Sequence, residues 1–181
     1  MDVDQTAKLR TGLDDALSNL MAVLPGADNE PGWDIATDEE GWTVRQVLAH
    51  LASAESSMNA LIERALAAAR ENRPFGDLIG RGKDGSPFDL NLWNRRQVEK
   101  RATQPPSALR LELTEERART LRTLKAHTAE ELAAPAWHPS LGETHVESIY
   151  KVMAIHMRDH TRAIKRALRE GLHGRYWADV E

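Results

Sequence analysis

Four long stretches of this chain carry apolar residues at the three- and four-residue spacing of a helix that buries one face. No strand pattern competes with them. The sequence therefore predicts an all-α fold, an up-down four-helix bundle with a long connection between helices 2 and 3. The predicted stretches are about Val3 to Leu24, about Thr43 to Arg70, Leu90 to Leu124 in two parts, and a last helix that contains Ile149 to Ala167.

Sequence signals at the ends of these stretches predict where the helices begin and stop. Thr43 and Gln46 form a capping box, and Thr128 with Glu131 predicts a second one for a short turn. Ser107 is expected to cap the second part of helix 3, and Gly171 is expected to close the last helix. Residues 72–88 hold four glycines and two prolines. Such a long loop often forms a lid or a wall over a site.

Length and composition exclude several classes of protein. A chain of 181 residues is expected to form a single domain, residues 1–181. A net charge of −4 argues against a nucleic-acid partner. The absence of cysteine excludes disulfides, thiolate metal sites and cysteine nucleophiles. There is no signal peptide and no run of ~18 apolar residues, so we expect a cytoplasmic protein without a membrane partner.

Two histidines occupy core positions of the last helix. Its apolar stripe comprises Ile149, Val152, Met153, Ala163, Ile164 and Ala167. His156 and His160 fill the positions of that stripe that are missing between Met153 and Ala163. An unpaired polar ring is costly in a core, and a bound metal is one way to meet that cost. Histidines that are satisfied in the core or exposed at the surface are the alternative.

A third histidine, His50, lies on one flank of the stripe of helix 2. Three imidazoles and an open position are typical of a catalytic zinc site, and nickel or iron would fit the same ligands. Met157 follows His156, so the His-Glu-x-x-His pattern of metalloproteases is absent. Glu55 is a candidate fourth ligand or base, although a salt-bridged residue at the rim is the favoured interpretation.

The remaining candidates have less specific signals. Trp93 is interpreted as a core residue, and Asn94 either orients a ligand or is a buried amide bonded to backbone. His138 and His145 are expected in a surface loop before the last helix. Asp159 is expected on the outer face, as is a basic stripe on the back of the last helix. That stripe comprises Arg158, Arg162, Lys165, Arg166 and Arg169, and His127 and His173 are expected at the periphery.

Three segments together resemble the DinB-like superfamily over nearly the whole chain. They are Trp42-Thr-Val-Arg-Gln-Val-Leu-Ala-His50, His156-x-x-x-His160 and Leu92-Trp-Asn-Arg-Arg-Gln-Val-Glu-Lys-Arg101, the last followed by Pro105-Pro106. The third segment is similar to the thiol-transferase and maleylpyruvate-isomerase-like branch. The resemblance implies a four-helix bundle, commonly homodimeric, in which His50, His156 and His160 bind a divalent metal such as zinc or nickel.

The resemblance also implies an activity. Characterised members transfer or use low-molecular-weight thiols such as mycothiol or bacillithiol, and others are described as metal-dependent hydrolases. Our first hypothesis is a metal-dependent transferase that joins such a thiol to an electrophilic small molecule. The alternatives are a hydrolase that activates water at the metal, and a non-catalytic bundle with a structural metal or a ligand-binding role. The chain ends soon after helix 4, so we do not expect maleylpyruvate isomerase activity, which involves a further C-terminal domain.

Overall fold

The structure is a computed structural model that describes the backbone of residues 3–38 and 41–178, and the side chains of residues 5–38 and 41–171. This part of the chain contains six α-helices and one pair of strands. In chain order they are α1 (Val3–Val23), α2 (Val44–Arg70), α3 (Leu90–Glu99), α4 (Pro106–Ala126), α5 (Ala129–Leu132), β1 (Pro135–His138), β2 (Gly142–His145) and α6 (Val146–Ala178). Two short 3₁₀ helices, Pro31–Asp34 and Phe75–Leu78, lie in the connections.

The four long helices α1, α2, α4 and α6 form the predicted four-helix bundle. α1 packs against α4 and α6, and α2 packs against the same two helices. α1 and α2 therefore occupy opposite corners of the bundle although they are consecutive in the sequence. The apolar stripes meet in one core, whose fully buried members include Leu13, Leu48, Leu113 and Ile149. Within the described residues, no helix is long and apolar enough to cross a membrane.

Both predicted capping boxes are confirmed. The Thr43 side chain accepts from the backbone N–H of Gln46, and the Gln46 side chain accepts from the backbone N–H of Thr43. Thr128 and Glu131 form the same reciprocal pair at the start of α5. These caps satisfy N–H groups that have no partner inside the helix. The first box also sets the register of α2, and with it the direction in which the second turn of the helix presents His50.

The prediction that the chain contains no strands is wrong for one hairpin. β1 and β2 pair antiparallel, with Pro135 opposite His145 and His138 opposite Gly142. Each strand has only four residues, and they begin with proline and glycine, which are poor strand formers. Periodicity over so short a stretch carries little signal. The hairpin turns at Gly142, whose φ of 70° favours glycine.

Two predicted helix ends are also wrong. α4 begins after Pro105, with Pro106 in its first turn, so Ser107 is not the cap. The backbone N–H and the hydroxyl of Ser107 instead donate to the carboxylate of Asp28, at 2.8 and 2.6 Å. α6 continues past Gly171 to Ala178. A Cβ at Gly171 would lie 2.9 Å from two side-chain atoms of Ile35, so glycine there permits close packing.

Candidate metal centre and cavity

The direct packing of α2 on α6 brings the three predicted ligands together. His50 lies in the second turn of α2, while His156 and His160 lie one turn apart on α6. The Nε2 atom of His156 is 3.0 Å from that of His50 and 3.0 Å from that of His160. One ring nitrogen of each residue lies within 4.8 Å of the other two. His50 and His156 are 106 positions apart in the sequence, so only the tertiary fold brings them together.

Burial keeps two of these imidazoles neutral. It lowers the pKa of His50 to about 3, with a smaller contribution from His160. It also lowers the pKa of His156 well below the ordinary value of 6.5, and the nearby His160, His50 and His138 add to this effect. A neutral imidazole offers a free lone pair, and that is the form that coordinates a metal.

The three side chains fit a divalent ion. Zinc–imidazole bonds of ~2.0–2.1 Å in a tetrahedral arrangement place ligand nitrogens roughly 3.3 Å apart, close to the 3.0 Å observed. Lone pairs that face one another at this distance repel unless a proton or a cation lies between them. A cation shared by the three nitrogens satisfies them together. Imidazole ligands suit zinc and nickel among the divalent ions.

Packing holds the ring of His50 in place. Its Nδ1 atom is buried and has no hydrogen-bond partner among the described residues. The indole ring of Trp42, the residue before the Thr43 cap, lies 5.2 Å from the imidazole centroid. The rings of His156 and His160 contact it edge-on, each at 4.9 Å. Trp42 therefore takes the orienting role that a hydrogen-bond partner of Nδ1 often has in metal sites.

A cavity of about 700 Å³ opens beside the three histidines, and His50 and His156 line it. Its walls come from α2, α3, the connection 71–89 and the hairpin. Phe88, Trp93 and Trp137 form an aromatic wall, in which the Phe88 ring lies 5.8 Å from Trp93 and 6.0 Å from Trp137. The predicted role of residues 72–88 as a wall is thus confirmed by Gly80, Arg81 and Phe88.

Three residues that the sequence placed elsewhere belong to this cavity. Trp93 is 40% exposed and lines the cavity, so it is not a core residue. Asn94 is half-buried and also lines it, which contradicts the interpretation as a buried amide. His138 is 7% exposed, because β1 turns it inward, and the prediction of a surface loop residue is wrong for it. His145, for which the same position was predicted, is exposed, although it lies in strand β2 and not in a loop.

The tautomer of His138 follows from its surroundings. The backbone N–H of Ser140 donates to Nδ1 of His138 at 3.2 Å. Burial lowers the pKa of His138, so the ring is neutral at neutral pH. A neutral imidazole whose Nδ1 accepts a hydrogen bond carries its proton on Nε2. The ring can therefore present an N–H donor to a molecule in the cavity.

Glu55 is neither a fourth ligand nor a rim residue. Its carboxylate accepts from Nε and Nη2 of Arg117 at 2.7 and 2.9 Å and from the hydroxyl of Thr120 at 2.7 Å. Both charged side chains are at most 2% exposed. Arg117 also donates to the backbone carbonyl of Leu13 and contacts the sulfur of Met157. The ion pair thus joins all four bundle helices inside the core.

Asp159 and most of the basic stripe lie on the outer face as predicted, but Arg158 is half-buried against α1 and contradicts that prediction. Asp159 is exposed and pairs with Arg162 at 2.7 Å. In the same basic stripe, Arg158 donates to the carbonyl of Gly12 and Arg166 pairs with Asp38. His127 is half-buried, and its ring lies 6.0 Å from that of Tyr150. The side chain of His173 lies outside the described residues.

Sequence reasoning missed the basic residues of the cavity. Arg64, Arg81, Lys100 and Arg101 line it together with the aromatic wall. A signal existed, because three of the nine aromatic residues of the chain and three of these cations lie within residues 81–137. Without the fold, nothing indicates that they share one cavity with the histidines.

Comparison with known proteins agrees with this fold. The arrangement belongs to the class of metal-binding, DinB-like four-helix bundles. The chain is a member of the mycothiol maleylpyruvate isomerase N-terminal domain family, whose family model matches residues 11–162. No curated protein matches the chain significantly in sequence.

Three solved structures share the fold. YfiT from Bacillus subtilis, described as a probable metal-dependent hydrolase with an unusual four-helix bundle topology, is 22% identical, with a TM-score of 0.67 over 94% of this chain and 89% of that one. An uncharacterised protein from Escherichia coli UTI89 is 13% identical, with a TM-score of 0.64 over 92% and 94%. One from Clostridium difficile 630 is 15% identical, with a TM-score of 0.60 over 93% and 95%.

Proposed function

We propose that this protein is a metal-dependent transferase that uses the thiol of a low-molecular-weight cofactor to attack an electrophilic small molecule. The observation that carries the proposal is the convergence of His50, His156 and His160 beside a cavity large enough for two small molecules. The family description, which names mycothiol, supports a thiol as one of them. A bound divalent cation such as zinc or nickel would lower the pKa of a coordinating thiol and so supply a thiolate at neutral pH.

The residues of this chain have separate roles in that reaction. His50, His156 and His160 hold the ion. The apolar side chains of Leu61 and Val152 line the cavity. His138 donates from Nε2 to an oxygen of the electrophilic substrate and so orients it. A donor that is fixed before the substrate arrives requires no reorganisation during the reaction.

The cavity favours thiol transfer over hydrolysis. In His-Glu-x-x-His metalloproteases a carboxylate serves as the base that removes a proton from water. In the described part of the chain, no aspartate or glutamate lines the cavity. His138 presents an N–H group and not a lone pair. The description of YfiT as a probable hydrolase supports the alternative, so the assays below include a reaction without thiol.

The first experiment measures the metal. Protein purified without a histidine tag is subjected to elemental analysis beside the His50→Ala variant and a control, His145→Ala. His145 is exposed on β2, so its loss leaves the site intact. We expect about one zinc or nickel ion per chain in the native protein and in the control, and much less in His50→Ala. Near-zero metal in the native protein would refute the site.

The second experiment measures thiol dependence. The metal-loaded protein is incubated with the electrophile monochlorobimane and with mycothiol or bacillithiol, and the fluorescent conjugate is followed. We expect enzyme-dependent conjugation that is lost in His156→Ala. Ester hydrolysis without added thiol would favour the hydrolase instead. A His156→Ala variant that loses metal and much of its melting temperature, with no activity in the native protein, would favour a structural metal.

The role of His138 is tested by two amides that differ in where they present their donor. The amide of a glutamine lies near the position of Nε2, and that of an asparagine lies near Nδ1. We expect His138→Gln to retain most of the conjugation rate and His138→Asn to lose roughly 10- to 100-fold in kcat/KM. Equal rates in the two variants would contradict the donor role. Light scattering and cell fractionation test the predicted homodimer and its cytoplasmic location.

A further inference from the structure

The wall of the cavity contains basic residues but, among the described residues, no carboxylate. The chain as a whole is acidic, with 28 aspartate and glutamate residues against 24 lysine and arginine residues. Four basic residues nevertheless line the cavity, and no acidic residue does so in the described ranges. Although the chain has more acidic than basic residues, this distribution favours a positive potential in the cavity.

Two of the three arginines that line the cavity keep their charge for a ligand. Arg101 forms a bidentate ion pair with Glu112, whose shortest distance is 2.6 Å between Nη2 and Oε1. Its charge is therefore compensated. Arg64 instead donates to the backbone carbonyl of Asp77, and Arg81 donates to that of Gly85 at 3.5 Å. A carbonyl is neutral and leaves the positive charge of each guanidinium in place.

The same two arginines lie at the mouth of the cavity. Both side chains are exposed. Arg64 reaches from α2 to Asp77 in the connection 71–89, and Arg81 follows four residues later in that connection. Gly80, next to Arg81, lies so close to the ring of Trp137 that a Cβ there would be 2.6 Å from it. The cationic mouth therefore borders directly on the aromatic wall.

We infer that the cavity binds a flat organic anion, with its ring along Phe88, Trp93 and Trp137 and its carboxylate at Arg64 and Arg81. A guanidinium recognises a carboxylate through paired N–H donors, and aromatic faces favour a planar partner. The inference rests on the proposed function only in naming this anion as the electrophilic substrate. Its binding does not require turnover, so the two can fail separately.

The test compares benzoate with benzamide, its neutral counterpart of the same shape, by titration calorimetry on the zinc-loaded protein. We expect benzoate to bind about ten-fold more tightly. The ratio of the benzamide Kd to the benzoate Kd is expected to fall to near one in the double variant Arg64→Gln/Arg81→Gln. It is expected to persist in Arg95→Gln, which removes the same charge from an exposed position of α3 outside the cavity. Both mouth arginines are exposed, and an unchanged melting temperature will show that the variants fold.

Three results would overturn the inference: no binding of benzoate, equal binding of benzoate and benzamide, or a preference that survives the double substitution. In the last case the carboxylate binds elsewhere, for example at the zinc ion. Trp93→Leu tests the aromatic wall, and we expect it to weaken the binding of benzoate about five-fold. Conjugation of monochlorobimane, which is uncharged, reports on the proposed function independently of these titrations.

Discussion

Removing the charge of Glu55 is expected to cost more stability than most substitutions in this chain. In Glu55→Gln, Arg117 remains charged at about 1% exposure and loses its two hydrogen bonds to a carboxylate, at 2.7 and 2.9 Å. Leaving one partner of a buried ion pair uncompensated costs about 3–5 kcal/mol. For a chain of this size each kcal/mol lowers the melting temperature by roughly 2–4 °C, so we expect a fall of roughly 6–20 °C.

The assay is urea unfolding of the chelated protein, followed by circular dichroism. The double variant Glu55→Leu/Arg117→Met removes both charges at similar volume, and such replacements are often neutral or stabilising. We expect it to be more stable than either Glu55→Leu or Arg117→Met alone. All these variants should retain the metal, because Glu55 does not contact the three histidines. A loss below ~1 kcal/mol in Glu55→Gln, or a loss of its metal, would refute the reasoning.

Three further perturbations test the packing around the site. Trp42→Leu should weaken metal binding about ten-fold in a chelator competition, because the ring orients the histidine of α2; an unchanged Kd would argue against that role. Gly80→Ala should destabilise by about 1–3 kcal/mol in urea, since its Cβ would lie 2.6 Å from Trp137, whereas Gly76→Ala, with open space, serves as the control. Burial raises the pKa of Tyr150 to about 12, so its neutral form contributes stability that is complete below about pH 10 and lost above it. Between about pH 9 and about pH 11 the free energy of unfolding of the wild type should therefore fall by about 1.4 kcal/mol relative to that of Tyr150→Phe. A difference in unfolding free energy between the two proteins that is the same at both pH values would exclude this effect.

The bundle and the convergence of the histidines could be predicted because both depend on helical periodicity. The stripe of α6 pointed His156 and His160 into the interior, and the capping box of Thr43 placed His50 on an inward flank of α2. These signals are local, but the regular geometry of a helix determines which face each residue occupies along its whole length.

The cavity depended on information that no local pattern contains. The hairpin that turns His138 inward has strands of four residues, so its pairing is decided by tertiary contacts. The partner of Glu55 lies 62 positions away, and a charged residue on a helical flank does not reveal whether a countercharge meets it. Trp93 occupies a position of an apolar stripe, yet its face is turned to a cavity and not to the core.

The ligands of the candidate centre are separated by 106 positions along the chain, and this separation has a consequence for biosynthesis. His50 leaves the ribosome long before α6 has been made, so the centre assembles only after the last helix docks. A captured ion would then stabilise the folded state, in which that long loop is closed, and this stabilisation would rise with the logarithm of the free metal concentration. If the proposed metal binds, its occupancy would therefore report completed folding, because a chain that stops before α6 lacks two of the three ligands.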